Sequence, residues 1–329
     1  MPSDTSFQLF TSLRYDPILL TSEENSLPAL SFVSPSPFYM LVYHRDRMLE
    51  AAQHFDFHAV AKKLLDGKAL HLSLLHKVRE WVDNGGQDGA LKLRLLFDES
   101  ANLSVDFMAL PPVPLATLYP SSLDPPRTTS TTHPANYSKP SPLAGEAVDP
   151  ILSDSLAGES SPPTWAVKLD SAPTLSSPFT LLKTTHRDFY DASRERALPE
   201  NLVAPAYREV MLYNECQELT EGSMTSLYVF RGGKWVTPPV GVPAGQLDGD
   251  TLKTGQDEGE LRKPFAGRWG HSVRSSKVGA GGQRGTSRRW ALGKGYCMEE
   301  PVSVDTVEKG EGVWVSNGVR GFGYGIVVD

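Results

Sequence analysis

Three stretches of this chain carry residue types that could act together on a carbonyl compound. Lys183 closes an apolar run, PFTLLK (178–183), and opens a polar segment of helical character, TTHRDFYDASRERA (184–197). At the end of a buried strand a lysine is partly desolvated, which lowers its pKa. A neutral amine can then attack an aldehyde and form an imine. The competing account is a strand-end lysine whose ammonium snorkels to water, and on position alone it is the commoner outcome. Glu221 stands before Gly222 in LTEGSMTSLYVF (219–230), with Ser223 and Thr225 beside it, at a turn leading into a strand. A protonated pyridine ring is an electron sink, and an anionic partner of this kind keeps it protonated. Taken alone, a solvated turn glutamate is the favoured account. Ser223 lacks the GxSxG elbow of a hydrolase nucleophile.

The third stretch is GAGGQRGTSRRW (279–290). Glycines followed by Thr286 and Ser287 at a helix start expose backbone N–H groups to an anion, and the helix dipole and hydroxyls add to the attraction. Gly285 and Thr286 form the turn itself. The spacing is not that of a Walker A loop, and a plain capped helix competes at even odds. Arg47, in His44-Arg45-Asp46-Arg47, could reach a phosphate bidentately. Arg14 lies mid-strand among apolar residues, where a charge needs a partner. Surface ion pairs are the commoner fate of such arginines.

Two other patterns point elsewhere. Residues 261–294 contain nine Lys or Arg and no Asp or Glu, which could make a local nucleic-acid patch. No aromatic-basic module of a known type accompanies them, so a solvated basic loop beside one anionic ligand is preferred, and nucleic acid is not an expected partner. His54 and His58 are spaced i, i+4 without an evident third ligand, so helix-surface histidines are expected rather than a metal.

The elements that must position these residues fall into two blocks. FQLFTSLRYDPILL (7–20) reads as a strand ending at an Asp16-Pro17 turn. Residues 38–65 acquire helical period, with Met48, Ala51, Ala52, Phe55, Val60 and Leu64 on one face. A second helix over 69–83 is expected to bury Leu72, Leu75, Val78 and Val82, ending at Asn84-Gly85-Gly86. LKLRLLF (91–97) and LSVDFMAL (103–110) alternate as a β-hairpin. Together they make a small α+β domain, 1–117. Ser, Thr and Pro then dominate 118–163, which reads as a low-complexity linker.

Structure resumes over 164–329. WAVKLD (165–170), PFTLLK, EVMLYN (209–214), SLYVFR (226–231), KWVTPP (234–239), VSVDTV (302–307) and GVWVSN (312–317) are expected strands. THRDFYDASRERA (185–197) and TSRRWAL (286–292) are expected helices, and about 241–283 forms a second flexible insert. The net charge of −7 gives no global attraction to nucleic acid or anionic membrane. Two isolated cysteines, Cys216 and Cys297, suit a reducing compartment. With no apolar run long enough to span a bilayer and no secretory signal visible at the start, a cytoplasmic location is the expectation.

In order along the chain, SLRYD, HRDRM, LLKTTHRDFYDASRERA, NECQELTEGSMTSLYVF, GGQRGTSRRWAL and VWVSNGVRGFGYG resemble the class IV aminotransferases, the fold-type IV pyridoxal-phosphate enzymes. Within them the chain looks most like fungal-type aminodeoxychorismate lyases. The resemblance spans nearly the whole chain outside the two inserts. It implies a small N-terminal α/β domain, a larger C-terminal pseudo-barrel domain, pyridoxal 5'-phosphate between them, and a homodimer acting on a small-molecule substrate. Lys183 matches the lysine that holds the cofactor as an imine, and Glu221 the carboxylate facing the pyridinium nitrogen. Arg47 matches a phosphate-contacting arginine, Gly285 and Thr286 the phosphate-binding turn, and Thr225 and Asn317 fall in cofactor-side loops. Arg14 and Arg320 match positions near the substrate carboxylate. Two departures are visible: Met48 stands where the family has leucine, and Ser226 where it often has asparagine. The implied activity is conversion of 4-amino-4-deoxychorismate to 4-aminobenzoate and pyruvate, a folate-precursor step. A class IV transaminase acting on branched-chain, aromatic or D-amino acids is the alternative, and a non-catalytic anion- or nucleic-acid-binding protein is a third reading.

Overall fold

Alternation along its central strand marks the smaller of the two sheets among the described residues. Strands β1 (Leu9–Tyr15), β2 (Leu91–Phe97) and β3 (Leu103–Ala109) pair antiparallel with β2 in the centre. In β2, Leu91, Leu93, Leu95 and Phe97 are buried, while Lys92 and Arg94 take the other face, as a period of two requires. Helices α1 (Leu41–His54), α2 (His58–Leu64) and α3 (Gly67–Asp83) contribute to one hydrophobic core with the buried face. The computed structural model describes residues 7–126, 164–198, 207–240 and 282–329.

Two helical expectations change in detail. The continuous face expected over 38–65 is split between α1 and α2 by Asp56, which takes φ +59°. Aspartate tolerates this left-handed conformation better than most residues. In α3 the buried stripe is Leu70, His71, Leu74 and Val78, and Leu72 is 63% exposed. Both stripes have helical spacing, so period alone leaves the phase of the helix open. Asp66 begins α3 by accepting from the Ala69 N–H at 2.9 Å.

The larger sheet joins β4 (Trp165–Leu169), β5 (Arg208–Tyr213), β6 (Leu219–Gly222), β7 (Ser226–Arg231), β8 (Lys234–Thr237), β9 (Met298–Glu299), β10 (Gly312–Asn317) and β11 (Gly321–Val328). Their order is β6-β5-β4-β11-β10-β7-β8-β9, curled into a half-barrel. Four short helices accompany it: α4 (Leu115–Leu118), α5 (Pro178–Leu181), α6 (Asp188–Ala197) and α7 (Thr286–Gly293). The mixed α/β class expected from the sequence is the one observed.

The run PFTLLK is a helical turn rather than a strand. Ser177 Oγ accepts from the Thr180 N–H at 3.3 Å, Thr180 Oγ1 accepts from the Ser177 N–H at 3.0 Å, and Pro178 fills the first helical position. This reciprocal cap outweighs a short apolar pattern that suits either structure. VSVDTV likewise forms no extended strand. Ser303 makes a single bridge to Glu218, and Val304–Thr306 is a 3-10 turn.

Of the expected linker, residues 118–126 pack onto the fold: Leu118 and Leu123 are buried, and Trp314 Nε1 donates to the Leu123 carbonyl at 2.8 Å. The remainder of that linker, and residues 241–281 of the second insert, lie outside the described residues. No described helix is long and apolar enough to cross a membrane.

The α3 phase gives a stability test. Leu74→Ala is expected to cost about 2–5 kcal/mol of unfolding free energy. Leu72→Ala is expected to stay within about 0.5 kcal/mol of the wild type. Urea titrations compare the two, and equal losses would contradict the observed burial.

Candidate active site

Lys183 follows α5 at a seam between the sheets. Its carbonyl accepts from the Phe10 N–H of β1 at 3.2 Å, and the Gln8 carbonyl accepts from the Thr185 N–H at 2.9 Å. These bonds fix the backbone and send the side chain into a cavity of about 350 Å³, where Phe10, Arg47, Arg187, Tyr190 and Glu221 also line the wall. That volume is within the usual range for a small-molecule site. The Lys183 Nζ lies 4.8 Å from the centre of the Phe10 ring. Burial pushes the ammonium well below the ordinary lysine range, and the nearby Arg187 and Arg47 push it the same way.

Glu221, at the β6 end, is the only carboxylate lining the cavity among the described residues. It accepts from the Tyr190 hydroxyl and, at 3.2 Å, from the Gln283 N–H. Burial raises its pKa to about 7, against the opposing pull of Tyr190, Lys183 and the Gln283 N–H. Desolvation therefore drives amine and acid toward their neutral forms. Neither Tyr190 nor Gln283 stood out in the sequence as a site residue. Tyr190 sits on the first turns of α6, seven residues after Lys183, and Gln283 hides in a glycine-rich approach.

The anion cradle combines α1, α7 and the β6–β7 turn. Arg47 is half-buried in α1, its Nη2 donating to Thr11 Oγ1 at 2.6 Å while its buried Nε has no partner. Burial lowers its pKa to about 10. Thr225 Oγ1 is also buried without a partner. Gly285 precedes α7 and provides no side-chain cap. A Cβ at Gly285 would stand 2.1 Å from Ser226 Oγ, and one at Gly318 2.5 Å from the His44 ring. Only glycine therefore lets these backbones close around the cavity. His44 was missed as a contributor: fully buried, it meets Thr11 Oγ1 at 2.8 Å through Nδ1 and Thr286 Oγ1 at 3.5 Å through Nε2. Its position three residues before Arg47 on one helix face is the signal that could have found it. Burial and Arg47 push its pKa well down, favouring neutral imidazole.

A phosphate would satisfy what this cradle leaves open. The Arg47 Nε and Thr225 Oγ1 are buried polar atoms that want an acceptor or donor, and the α7 terminus adds N–H dipoles. The residues present fit a phosphorylated cofactor with an aldehyde near Lys183 and a ring nitrogen near Glu221.

Among the expected site residues, Lys183, Glu221, Arg47, Thr225, Gly285, Thr286, Asn317 and Arg320 all line this one cavity. Asn317 shapes its loop: Oδ1 accepts from the N–H groups of Val319 at 3.0 Å and Arg320 at 2.8 Å. Arg320 lies over the Trp165 and Tyr207 rings at the mouth. Arg14 is not brought to the cavity. It is buried, paired with Asp16 at 2.6 Å, and bonded to the Val319 and Pro111 carbonyls. The mid-strand charge found its partner two residues away and clamps three segments. The face of β2 away from the core, shared by Arg14 in register with Lys92, sends Lys92 and Arg94 to the mouth, beside Arg187 and Arg320. Burial, then Arg94, Arg320 and Arg187, lower the Lys92 pKa.

The described end of the basic stretch is engaged elsewhere. Arg284 pairs with Glu50, Arg288 with Glu299, Arg289 with Asp46 and Lys294 with Glu24, at 2.6–3.0 Å. No group of three or more metal-binding side chains occurs among the described residues.

Comparison with known proteins gives this site its class. The family described as amino-transferase class IV matches residues 30–253, and the chain belongs to that family. Its enzymes depend on pyridoxal 5'-phosphate and act on small molecules. No curated protein matches the chain. Among solved structures, a protein assigned as an amino-acid aminotransferase from Mesorhizobium loti is 15% identical, with a TM-score of 0.51 over 98% of this chain and 100% of that one. One assigned as a 4-amino-4-deoxychorismate lyase from Legionella pneumophila is 12% identical, with a TM-score of 0.51 over 98% and 84%. One assigned as a branched-chain amino acid aminotransferase from Thermotoga maritima is 12% identical, with a TM-score of 0.50 over 97% and 75%. At these identities the likeness is one of fold.

The electrostatics of Lys183 can be read directly. Burial beside two guanidiniums disfavours the ammonium, so the neutral amine should appear at lower pH than in an ordinary lysine. In cofactor-free protein, acetylation of Lys183 followed against pH by peptide mapping should show a midpoint well below the usual lysine value. A midpoint at that usual value would show the amine to be solvated.

Proposed function

We propose that this chain is a pyridoxal-phosphate-dependent lyase converting 4-amino-4-deoxychorismate to 4-aminobenzoate and pyruvate. What supports a lyase over a branched-chain transaminase is the mouth of the cavity. Lys92, Arg94, Arg187 and Arg320 line it, with Asp106 3.7 Å from Arg94. Four cations suit a substrate with two carboxylates. They are a poor match for an aliphatic side chain, which gives such groups nothing to accept their hydrogen bonds.

In this reading Lys183 would hold the cofactor covalently, and Arg47, Thr225, Gly285, Thr286 and the Asn317 loop would hold its phosphate. Glu221 would serve as the acid paired with its ring nitrogen. Bound there, pyridoxal phosphate supplies an electron sink for charge developing on the substrate carbon. Lys183, neutral through burial, takes the proton from the ring carbon that bears the substrate amine. Loss of that proton lets the three-carbon group depart as pyruvate and the ring become aromatic. The two products contain every atom of the substrate, so no acceptor is consumed. Tyr190 keeps the Glu221 carboxylate oriented, and the mouth cations hold the substrate carboxylates. A homodimer belongs to the same proposal, and light scattering of the purified protein checks it.

Purified protein should be yellow, and borohydride should fix the cofactor on the peptide containing Lys183. Lys183→Ala should lose that label and about 10²–10⁴-fold or more in turnover, the usual worth of a positioned base. Protein that stays colourless with added cofactor, and takes no label, would refute the reading. Glu221→Ala should retain bound cofactor and lose most turnover; full activity would remove its assigned role. Substrate specificity is settled by products: 4-aminobenzoate and pyruvate released without an amino acceptor support the lyase. Turnover only after a keto acid is added would make it a transaminase.

A further inference from the structure

Gln283 touches both ends of the cavity. Its backbone N–H donates to Glu221 Oε2 at 3.2 Å, and its Nε2 donates to the Tyr190 hydroxyl oxygen at 2.9 Å. Its Oε1 accepts from Lys183 Nζ at 3.5 Å, the longest link. The Tyr190 hydroxyl in turn donates to Glu221 Oε1. Gln283 is 7% exposed, so water does little to screen these contacts.

Every donor on this route points the same way: ammonium to amide oxygen, amide nitrogen to phenol, phenol to carboxylate. The donor inventory fixes the direction. Lys183 has hydrogens and no acceptor when charged, and the single Tyr190 hydrogen is directed at Glu221. While Lys183 is charged, a flipped Gln283 amide would set donor against donor there, and acceptor against acceptor at Tyr190. Buried hydrogen bonds aligned in series also polarise one another.

We propose that Gln283 is a positioning residue that transmits the charge of Glu221 to Lys183 through Tyr190, beyond the direct attraction across the cavity. Ionised Glu221 draws the phenol hydrogen toward itself and leaves the phenol oxygen a better acceptor for the Gln283 amide. The polarised amide then presents a more negative oxygen to Lys183. Protonating Glu221 weakens each link in turn. The other charges facing Lys183 are Arg187 at the start of α6, Arg47 from α1 and Lys92 from β2. Glu221 also feels Arg187. These act through space and stay in place when the Gln283 side chain is replaced.

The test is a double-mutant cycle in cofactor-free protein, reading the pH midpoint of Lys183 acetylation by acetic anhydride. Glu221→Gln removes an anion and so should lower that midpoint in the wild-type background. In a Gln283→Met background the same substitution should move it less than half as far. Equal movement in both backgrounds overturns the proposal and leaves direct attraction alone. Tyr190→Phe breaks the route at another link and carries the same expectation, which keeps the test open should Gln283→Met fold poorly. The inference rests on Lys183 and Glu221 being the reacting amine and its paired acid. The two failures are separable: absence of a borohydride label on Lys183 sinks that reading, whereas equal midpoint movements sink only the role of Gln283.

Discussion

The site is organised around the cost of desolvating Lys183 and Glu221, both half-buried in one cavity. Each charged form is disfavoured by burial, and their ionisation is pushed in opposite directions. Uncompensated, a buried charge costs several kcal/mol or neutralises. Neutrality is what an attacking amine needs, so the penalty serves the chemistry provided the backbone cannot relax and let Lys183 reach solvent. The Ser177–Thr180 cap and the bonds to Phe10 and Gln8 prevent that relaxation. They hold the segment from both sides while the side chain remains in the cavity.

The same constraint explains which glycines the site needs. Gly285 and Gly318 bring the α7 start and the β10–β11 turn against Ser226 and His44 with no room for a Cβ. That approach closes the cavity around Arg47, whose Nε and neighbour Thr225 Oγ1 are left unpartnered. An anion entering there gains charge-assisted hydrogen bonds that water no longer supplies. Binding it should therefore stabilise the fold as well as complete the site.

Sequence patterns carried the fold class and most of the cavity wall, for a physical reason. Alternation in LKLRLLF and the Gly-Thr-Ser start of TSRRWAL each have one structural solution. Period without phase was the weak point. PFTLLK suits a strand or a helical turn until the Ser177–Thr180 cap is noticed, and α3 admits two stripes of leucines of equal spacing. Tertiary contact selects between them, and single-chain periodicity has no access to it.

The arginines show the deeper limit. Arg14 and Lys92 face each other in register across β1 and β2, yet Arg14 is sequestered by Asp16 while Lys92 reaches the mouth. Sequence singles out Arg14 as a charge needing a partner and passes over Lys92; only the fold says where each one goes. Asp16 caps the following 3-10 turn through Oδ1 and pairs with Arg14 through Oδ2, so it removes one cation from the ligand's reach and anchors the chain in the same act. Lys92, Arg94, Arg187 and Arg320 remain on the cavity wall, where a ligand carboxylate would meet them.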